Sequence, residues 1–472
     1  MGRSERRVPT LVAGVLLLLL VSACQDQGLA KGGGQVFPPD ADLLALIQER
    51  VERGGATGIV LGVREADGTH RFVSFGDPGP GALPLGQKSV FEIGSISKVF
   101  TGVLLAEMAG RGEVSLDDPV QEYLPPGVEM PSRNGRQIRL VDLSMHSSGL
   151  PRLPGNFSPA DATNPYADFT VAQLYEFLSG YELTRDIGAG FEYSNLGTGL
   201  LGHVLATVRG SDYETLVKET VLGPLGMEMS GITLTPDMKT HLALGHNGRD
   251  EVVPNWDLPT LAGAGALRSN AEDMLAFLDA NVGTPAGSLE EAMRMSHEPR
   301  FSAGEGAMIG LNWITRTDTE RTIVWHNGGT GGYRTFIGFD PEREVGVVVL
   351  TNSNEGSDDI GFHLLDPSVP LVDPPPPPVE RTEIEVSPHI LEDYVGVYEL
   401  APEVQITVSL RQGRLEARVT GQPSAPIYPE TESDYFYKVV DAQITFVRDG
   451  EGRVVELVLH QNGRDATAKK VG

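Results

Sequence analysis

Phe91-Glu-Ile-Gly-Ser-Ile-Ser-Lys98 is the stretch that most clearly indicates how this chain folds and what chemistry it performs. It holds the only Ser-x-x-Lys in the sequence, and apolar residues at helical spacing follow it as far as about residue 109. If Ser95 opens this helix, Lys98 lies one turn further on the same face. A serine hydroxyl needs an adjacent base, and burial near a helix N-terminus favours a neutral lysine. The segment predicts a nucleophile with its candidate base; a helix cap beside a solvated lysine is the alternative.

Tyr193-Ser-Asn195 is the only Tyr-x-Asn sequence, and it lies between a glycine-containing loop and a predicted helix that begins near residue 197. A phenol and a carboxamide on one tight turn can point into a common cleft. Tyr193 and Asn195 are therefore candidate site residues, and simple packing of the aromatic ring is the alternative interpretation.

His326-Asn-Gly-Gly329 follows a predicted strand that ends at Trp325, and two more strand patterns come after it. Glycines here let a substrate backbone approach closely, and the N–H of Gly329 could complete an oxyanion hole. His246-Asn-Gly248 repeats the tripeptide, but it lies in a predicted loop where a turn explains it. The later copy is therefore the candidate.

These three elements, in this order, resemble the motifs of serine β-lactamases and penicillin-binding proteins. The Tyr-x-Asn version is similar to class C β-lactamases and their DD-peptidase and esterase relatives. The resemblance covers about residues 40–365. Other segments that resemble recurring parts of the family are Leu116-Asp-Asp-Pro-Val120, Met145-His-Ser-Ser-Gly-Leu-Pro151, Pro224-Leu-Gly-Met227 and Gly263-Ala-Gly-Ala-Leu-Arg-Ser269.

The resemblance implies that Ser95 is acylated and that Lys98 and Tyr193 form the proton-transfer pair, with the identity of the base left open. It also implies that Asn195 holds a substrate amide and that the backbone N–H groups of Ser95 and Gly329 form the oxyanion hole.

His326, with Gly328 beside it on the substrate-binding strand, replaces the lysine of the Lys-Thr-Gly motif found in many β-lactamases. A histidine is charged only part of the time near neutral pH. This departure argues against efficient β-lactam hydrolysis. It also predicts that substrates with a carboxylate bind better as the pH falls toward about 6.5.

The leading hypothesis is a serine hydrolase that acts through an acyl-enzyme on D-amino-acid peptides of peptidoglycan or on related amides and esters. Its mode would be that of a DD-carboxypeptidase or endopeptidase. A class C-type β-lactamase or an esterase with the same site is one alternative. Another is a catalytically weak penicillin-binding or cell-wall-binding lipoprotein.

Composition and motifs exclude other classes of function. The net charge of −27 makes nucleic acid an unfavourable partner. The histidines are scattered without an HExxH sequence, so neither a metal nor another cofactor is expected. The glycines of 328–332 precede a strand pattern, which rejects a phosphate-binding loop. The expected partner is a small molecule or a peptidoglycan peptide.

The N-terminus has the features of a bacterial export signal. Basic residues precede an apolar run over 11–21, and Val21-Ser-Ala-Cys24 follows. Residues 1–24 resemble a lipoprotein signal peptide with Cys24 as the lipidated residue, and an ordinary signal peptide is the alternative. We expect a flexible tether over 25–39 and an exported periplasmic or cell-surface lipoprotein, held at a bacterial membrane by its lipid anchor.

The order of patterns along the chain is strands, then helices, then strands. It predicts an α+β domain over 40–365, in which one antiparallel sheet, flanked by helices, is built from both ends around an inserted helical region. Pro374 to Pro378 marks a linker over 366–385. Residues 386–472 alternate apolar and polar positions, which predicts a small all-β, barrel-like domain. Tyr394-Val-Gly-Val-Tyr398 resembles a β-barrel appendage of such hydrolases.

Overall fold

The computed structural model describes residues 35–283, 287–318, 321–356, 358–373, 381–401, 404–438, 440, 442–461 and 464–471. Cys24, the signal peptide and the proline run lie outside these residues. The described part of the expected tether is packed rather than free, because Phe37 is buried and the N–H of Val36 donates to Glu65 Oε2 at 2.6 Å.

The first domain combines one large sheet with helices on both faces. Its strands are β1 (Gly58–Arg64), β2 (His70–Gly76), β3 (Phe91–Glu92), β4 (Ser132–Arg133), β5 (Arg136–Gln137), β6 (Arg268–Ser269), β7 (Phe301–Gly304), β8 (Ala307–Ile309), β9 (Ile314–Arg316), β10 (Ile323–Gly329), β11 (Arg334–Asp340) and β12 (Val345–Thr351). Its helices are α1 (Asp40–Glu52), α2 (Ser97–Gly110), α3 (Leu140–Ser144), α4 (Val171–Gly180), α5 (Asn195–Arg209), α6 (Tyr213–Val217), α7 (Pro236–Thr240), α8 (Ala271–Asn281), α9 (Glu290–His297) and α10 (Asp358–Leu365).

The large sheet has the strand order β2-β1-β12-β11-β10-β9-β8-β7, and its neighbours pair antiparallel. Strands from the two ends of the domain thus meet where β1 pairs with β12, as the order of patterns predicted. Strands β1 and β12 are both buried along their full length. Alternate residues of β1 therefore enter different cores: Val60 packs with α2 and α8, whereas Ile59 and Leu61 pack with α1 and α10.

Eight strands near the C-terminus form a closed barrel, which confirms the barrel-like prediction for this part of the chain. Helix α11 (Pro388–Tyr394) precedes it. Its strands are β13 (Gly396–Ala401), β14 (Val404–Arg411), β15 (Arg414–Val419), β16 (Ala425–Pro429), β17 (Asp434–Tyr437), β18 (Ala442–Arg448), β19 (Val454–Gln461) and β20 (Arg464–Lys470). The strands pair in sequence, and β13 pairs with β20 to close the ring. Arg249 of the first domain lies over the Phe436 ring of the barrel, 5.3 Å from its centroid.

Within the part of the chain that the structure describes, none of the helices has both the length and the apolar character needed to span a membrane.

Candidate active site

The candidate nucleophile lies on a tight turn rather than inside an α-helix. The structure has a 3₁₀ turn over Gly94–Ile96, and α2 begins at Ser97, two residues later than the sequence suggested. Gly94 has a φ of +51°, and a Cβ built on it would lie 2.6 Å from the Gly329 N atom. Glycine is required here because the turn packs directly against the end of β10.

Lys98 faces Ser95 inside the core of the domain. Its Nζ atom lies 2.9 Å from Ser95 Oγ and donates to the Ala264 carbonyl at 2.6 Å, and its side chain is fully buried. Burial, and secondarily the positive charge of Arg152, lower the pKa of Lys98 well below its ordinary 10.5. The Tyr193 ring, 4.8 Å away, favours the charged amine by about 2 kcal/mol, less than full burial can cost. The geometry therefore places beside the hydroxyl an amine whose charged form burial disfavours.

Tyr193 is a protonated phenol in this setting. Burial raises its pKa to about 12, although a hydrogen bond to Ser95 and the charge of Arg152 act in the opposite direction. Of the two candidate bases, Lys98 is thus the one that burial prepares to accept a proton. The Tyr193 hydroxyl is suited to pass a proton on.

The strand β10 forms the wall of the site opposite the nucleophile. It runs through Gly329, so the His-Asn-Gly-Gly segment is part of the strand and does not follow it. A Cβ on Gly328 would lie 2.0 Å from the Ile93 carbonyl oxygen, which only glycine permits. The strand and the turn therefore touch where an oxyanion hole between the N–H groups of Ser95 and Gly329 would be.

Asn195 begins α5, two residues after Tyr193, and its side chain is partly buried. Ser194 caps this helix, since its Oγ accepts from the N–H of Gly197 at 2.8 Å. The Asn195 Nδ2 donates to Tyr166 Oη at 3.1 Å, and its buried Oδ1 has no hydrogen-bond partner among the described groups. This oxygen can accept an N–H from a bound amide.

His326 lies in the site but does not carry the charge expected of it. Its side chain is buried, and its Nδ1 lies 2.6 Å from the Asn327 carbonyl. Burial first, and the nearby Lys98 second, lower the pKa of His326 to about 3. The expectation of a partly charged histidine near neutral pH is therefore wrong, because sequence patterns gave no measure of how deeply β10 is buried.

The pH dependence should reflect this neutral histidine. Because His326 stays uncharged above about pH 4, the kcat/KM profiles of a carboxylated peptide and of a neutral ester should run parallel between about pH 5 and pH 8. Paired pH–rate series measure this. A rise in kcat/KM for the carboxylated substrate alone as the pH falls would show that His326 becomes charged in this range.

The structure adds three residues that the sequence interpretation missed. His146 is buried, and its ring lies 4.5 Å from that of Tyr193. Arg152 is exposed, with its guanidinium carbon 5.1 Å from the Tyr193 ring centroid. The Ala264 carbonyl holds Lys98. The sequence offered one signal for them. His146 and Ala264 lie within the family-like segments 145–151 and 263–269, and Arg152 directly follows the first of these segments.

The other His-Asn-Gly copy has a structural role. His246 is buried, and its backbone N–H and its Nδ1 lie 2.9 and 3.1 Å from the Asn352 carbonyl. Asn247 heads a turn, as predicted. Among the described residues, no group of three or more His, Cys, Asp or Glu side chains could hold a metal ion.

Both parts of the chain match known family models. Residues 43–365 match the model of the Beta-lactamase family, and residues 380–470 match a model described only as a domain of unknown function.

The chain is also similar to two curated proteins and to a solved structure. The chain is 31% identical over 317 residues to D-alanyl-D-alanine-carboxypeptidase/endopeptidase AmpH of Escherichia coli, covering 63% of this chain and 80% of that protein. It is 25% identical to Penicillin-binding protein 4* of Bacillus subtilis, covering 82% of this chain and 88% of that protein. A class C β-lactamase structure from Rhodobacter sphaeroides has a TM-score of 0.57 at 27% identity, covering 66% of this chain and 93% of that one.

Proposed function

Because the chain belongs to the β-lactamase family of serine hydrolases, we propose that it cleaves peptidoglycan peptides that end in D-amino acids, as a DD-carboxypeptidase or endopeptidase. The observation that carries the hydrolase chemistry is the buried amine of Lys98, 2.9 Å from the hydroxyl of Ser95, with a pKa that burial lowers. The choice of peptide is supported by the exposed Arg152 beside this pair, which can meet a carboxylate in the acyl part of a substrate, and by the name of the Escherichia coli relative.

Acylation follows from the positions of the proton carriers. Lys98 takes the proton of Ser95 as Oγ attacks the carbonyl carbon of the scissile amide. The oxyanion that forms is stabilised by the N–H groups of Ser95 and Gly329. The Tyr193 hydroxyl then passes a proton to the leaving amine and recovers one from Lys98, which leaves an ester on Ser95.

Deacylation uses the same groups in reverse roles. A water molecule attacks the ester carbonyl while Lys98 accepts its proton, and the oxyanion occupies the same N–H groups. Ser95 regains its proton as the C–O bond breaks, and the carboxylic acid product leaves. No group besides this chain and water is needed for the balance.

The charges around the site suit a substrate with a carboxylate in its acyl part. Neutral His326 offers no fixed cation for the carboxylate that ends a D-Ala-D-Ala peptide or for the one that a β-lactam carries. The exposed cation at the site is Arg152, whose carbonyl accepts from the Asn195 N–H at 3.1 Å and which therefore lies beside the amide-holding side chain. Its guanidinium forms no hydrogen bond or ion pair within the described residues, so it can meet a carboxylate in the acyl part of a substrate.

A panel of substrates tests the proposal. The full chain is incubated with a D-Ala-D-Ala peptide, its L-Ala-L-Ala counterpart, a nitrophenyl ester and a chromogenic β-lactam. We expect release of D-Ala at the highest kcat/KM and none from the L-peptide. Ester cleavage without release of D-Ala would favour an esterase, fastest opening of the β-lactam would favour a β-lactamase, and stable labelling without turnover would favour a penicillin-binding lipoprotein.

We also propose that the mature protein is an exported lipoprotein held at a membrane by lipidated Cys24. The Val-Ser-Ala-Cys sequence after an apolar run supports this. Fractionation of cells that express the full chain tests it, and a protein found only in the soluble fraction would contradict it.

A further inference from the structure

A loop over residues 153–163 leaves the active site directly after Arg152. Its Phe157 ring lies 5.0 Å from that of Tyr166, whose hydroxyl accepts the hydrogen bond from Asn195. Asn156 anchors the loop through its Nδ2, which donates to the Gln173 carbonyl at 2.9 Å. The loop is thus linked to Asn195 through the side chain of Tyr166.

The barrel supplies the opposite wall of a cleft. Two adjacent cavities, of about 290 and 1160 Å³, separate this loop from strands β14 and β15. Both are lined by Gly155 and Phe157 on the loop side and by Thr407 and Arg418 on the barrel side. The larger cavity exceeds the usual volume of small-molecule pockets, about 300–1,000 Å³, so the cleft has room for an extended chain.

The charges that line the barrel wall are mainly positive. Arg418 is exposed and forms no hydrogen bond or ion pair within the described residues. Arg411 and Arg414 have only loose ion pairs, at 3.6 Å to Glu416 and 3.9 Å to Glu383. In a chain with a net charge of −27, this concentration of guanidinium groups favours an anionic ligand locally.

We propose that this cleft binds the upstream part of the peptide substrate and that Arg418 pairs with a carboxylate there. The inference rests on the proposed peptidase function and extends it, because it gives the barrel a role in substrate recognition. The loop begins one residue after Arg152, so a peptide whose scissile bond lies at Ser95 can continue along Arg152 into the cleft. A cleft residue should then affect long, acidic substrates and leave short ones unchanged.

Binding to the full-length Ser95→Ala variant tests this without turnover. The probe is a dansyl-labelled peptide that ends in D-Ala-D-Ala and carries a second carboxylate three residues upstream; a second probe has that carboxylate amidated. We expect Arg418→Ala to weaken binding of the acidic probe about 10-fold, as for loss of a charge-assisted pair. Arg418→Lys should recover part of the affinity.

A double-mutant cycle separates pairing from a structural effect. Amidation and Arg418→Ala should each weaken binding, and together they should weaken it no further. Arg453→Ala, on a barrel turn that does not line the cleft, is the matched control and should change nothing. Equal loss for both probes, or no loss for either, would overturn the proposal.

Turnover distinguishes this inference from the proposed function. With wild-type Ser95, Arg418→Ala should raise KM for the acidic peptide and leave kcat and nitrophenyl ester cleavage unchanged. If the wild-type enzyme releases no D-Ala while the acidic probe still binds through Arg418, the proposed peptidase function fails. The cleft is then still a binding site for an acidic peptide.

Discussion

Replacing Ser95 with alanine is expected to abolish acyl transfer. The variant loses the hydroxyl that lies 2.9 Å from the buried amine of Lys98, so no ester intermediate can form there. We expect kcat/KM for ester and peptide substrates to fall on the order of 10⁴-fold or more, and covalent labelling by a fluorescent penicillin to disappear. Steady-state kinetics and gel fluorescence measure these two losses.

Ser97 provides the matched control for this variant. It lies two residues away, and its Oγ accepts the N–H of Leu267 at 3.0 Å, away from the reacting hydroxyl. Ser97→Ala should lower the free energy of unfolding by about 1–3 kcal/mol because it leaves a buried N–H unpaired, yet labelling should persist. If labelling were retained in Ser95→Ala but lost in Ser97→Ala, Ser97 and not Ser95 would be the nucleophile.

The second large effect is expected from Lys98→Ala. It removes the group that accepts the Ser95 proton, and loss of a positioned proton carrier typically slows a reaction about 10²- to 10⁴-fold. The slowed step should be acylation, measured by the rate of penicillin labelling. Lys88, an exposed lysine upstream, is the control, and Lys88→Ala should label at the wild-type rate.

The pH profile gives this variant a second readout. Lys98 is active as the free amine, so the wild-type rate should fall as the pH drops through its lowered pKa. Lys98→Ala should lose that acidic limb along with most of the rate. A near-normal labelling rate in Lys98→Ala would show that Tyr193 accepts the proton without it.

The motifs predicted which side chains meet, because their chemistry depends on short local spacing. Lys98 follows Ser95 by three residues, and any turn that begins an α-helix there brings both onto one side. Paired strands at both ends of the domain were likewise visible as apolar runs at β1 and β12, which the structure pairs antiparallel.

What sequence reasoning missed depends on contacts between distant segments. The Ala264 carbonyl meets Lys98 across 166 residues, and nothing in local periodicity predicts that contact. The charge of His326 was misjudged for the same reason, since desolvation depends on what packs over β10. The cleft at Arg418 exists only because the closed barrel lies beside the loop after Arg152.

The most direct test of the central claim is to locate the acyl group during turnover. The full chain, quenched in acid within the first turnovers of a nitrophenyl ester, is digested and mapped by mass spectrometry. The expected result is one acyl group per chain, carried by the peptide that contains Ser95 and absent from the Ser95→Ala variant. Turnover with the acyl group on another residue, or with no acyl group at any quench time, would contradict the account.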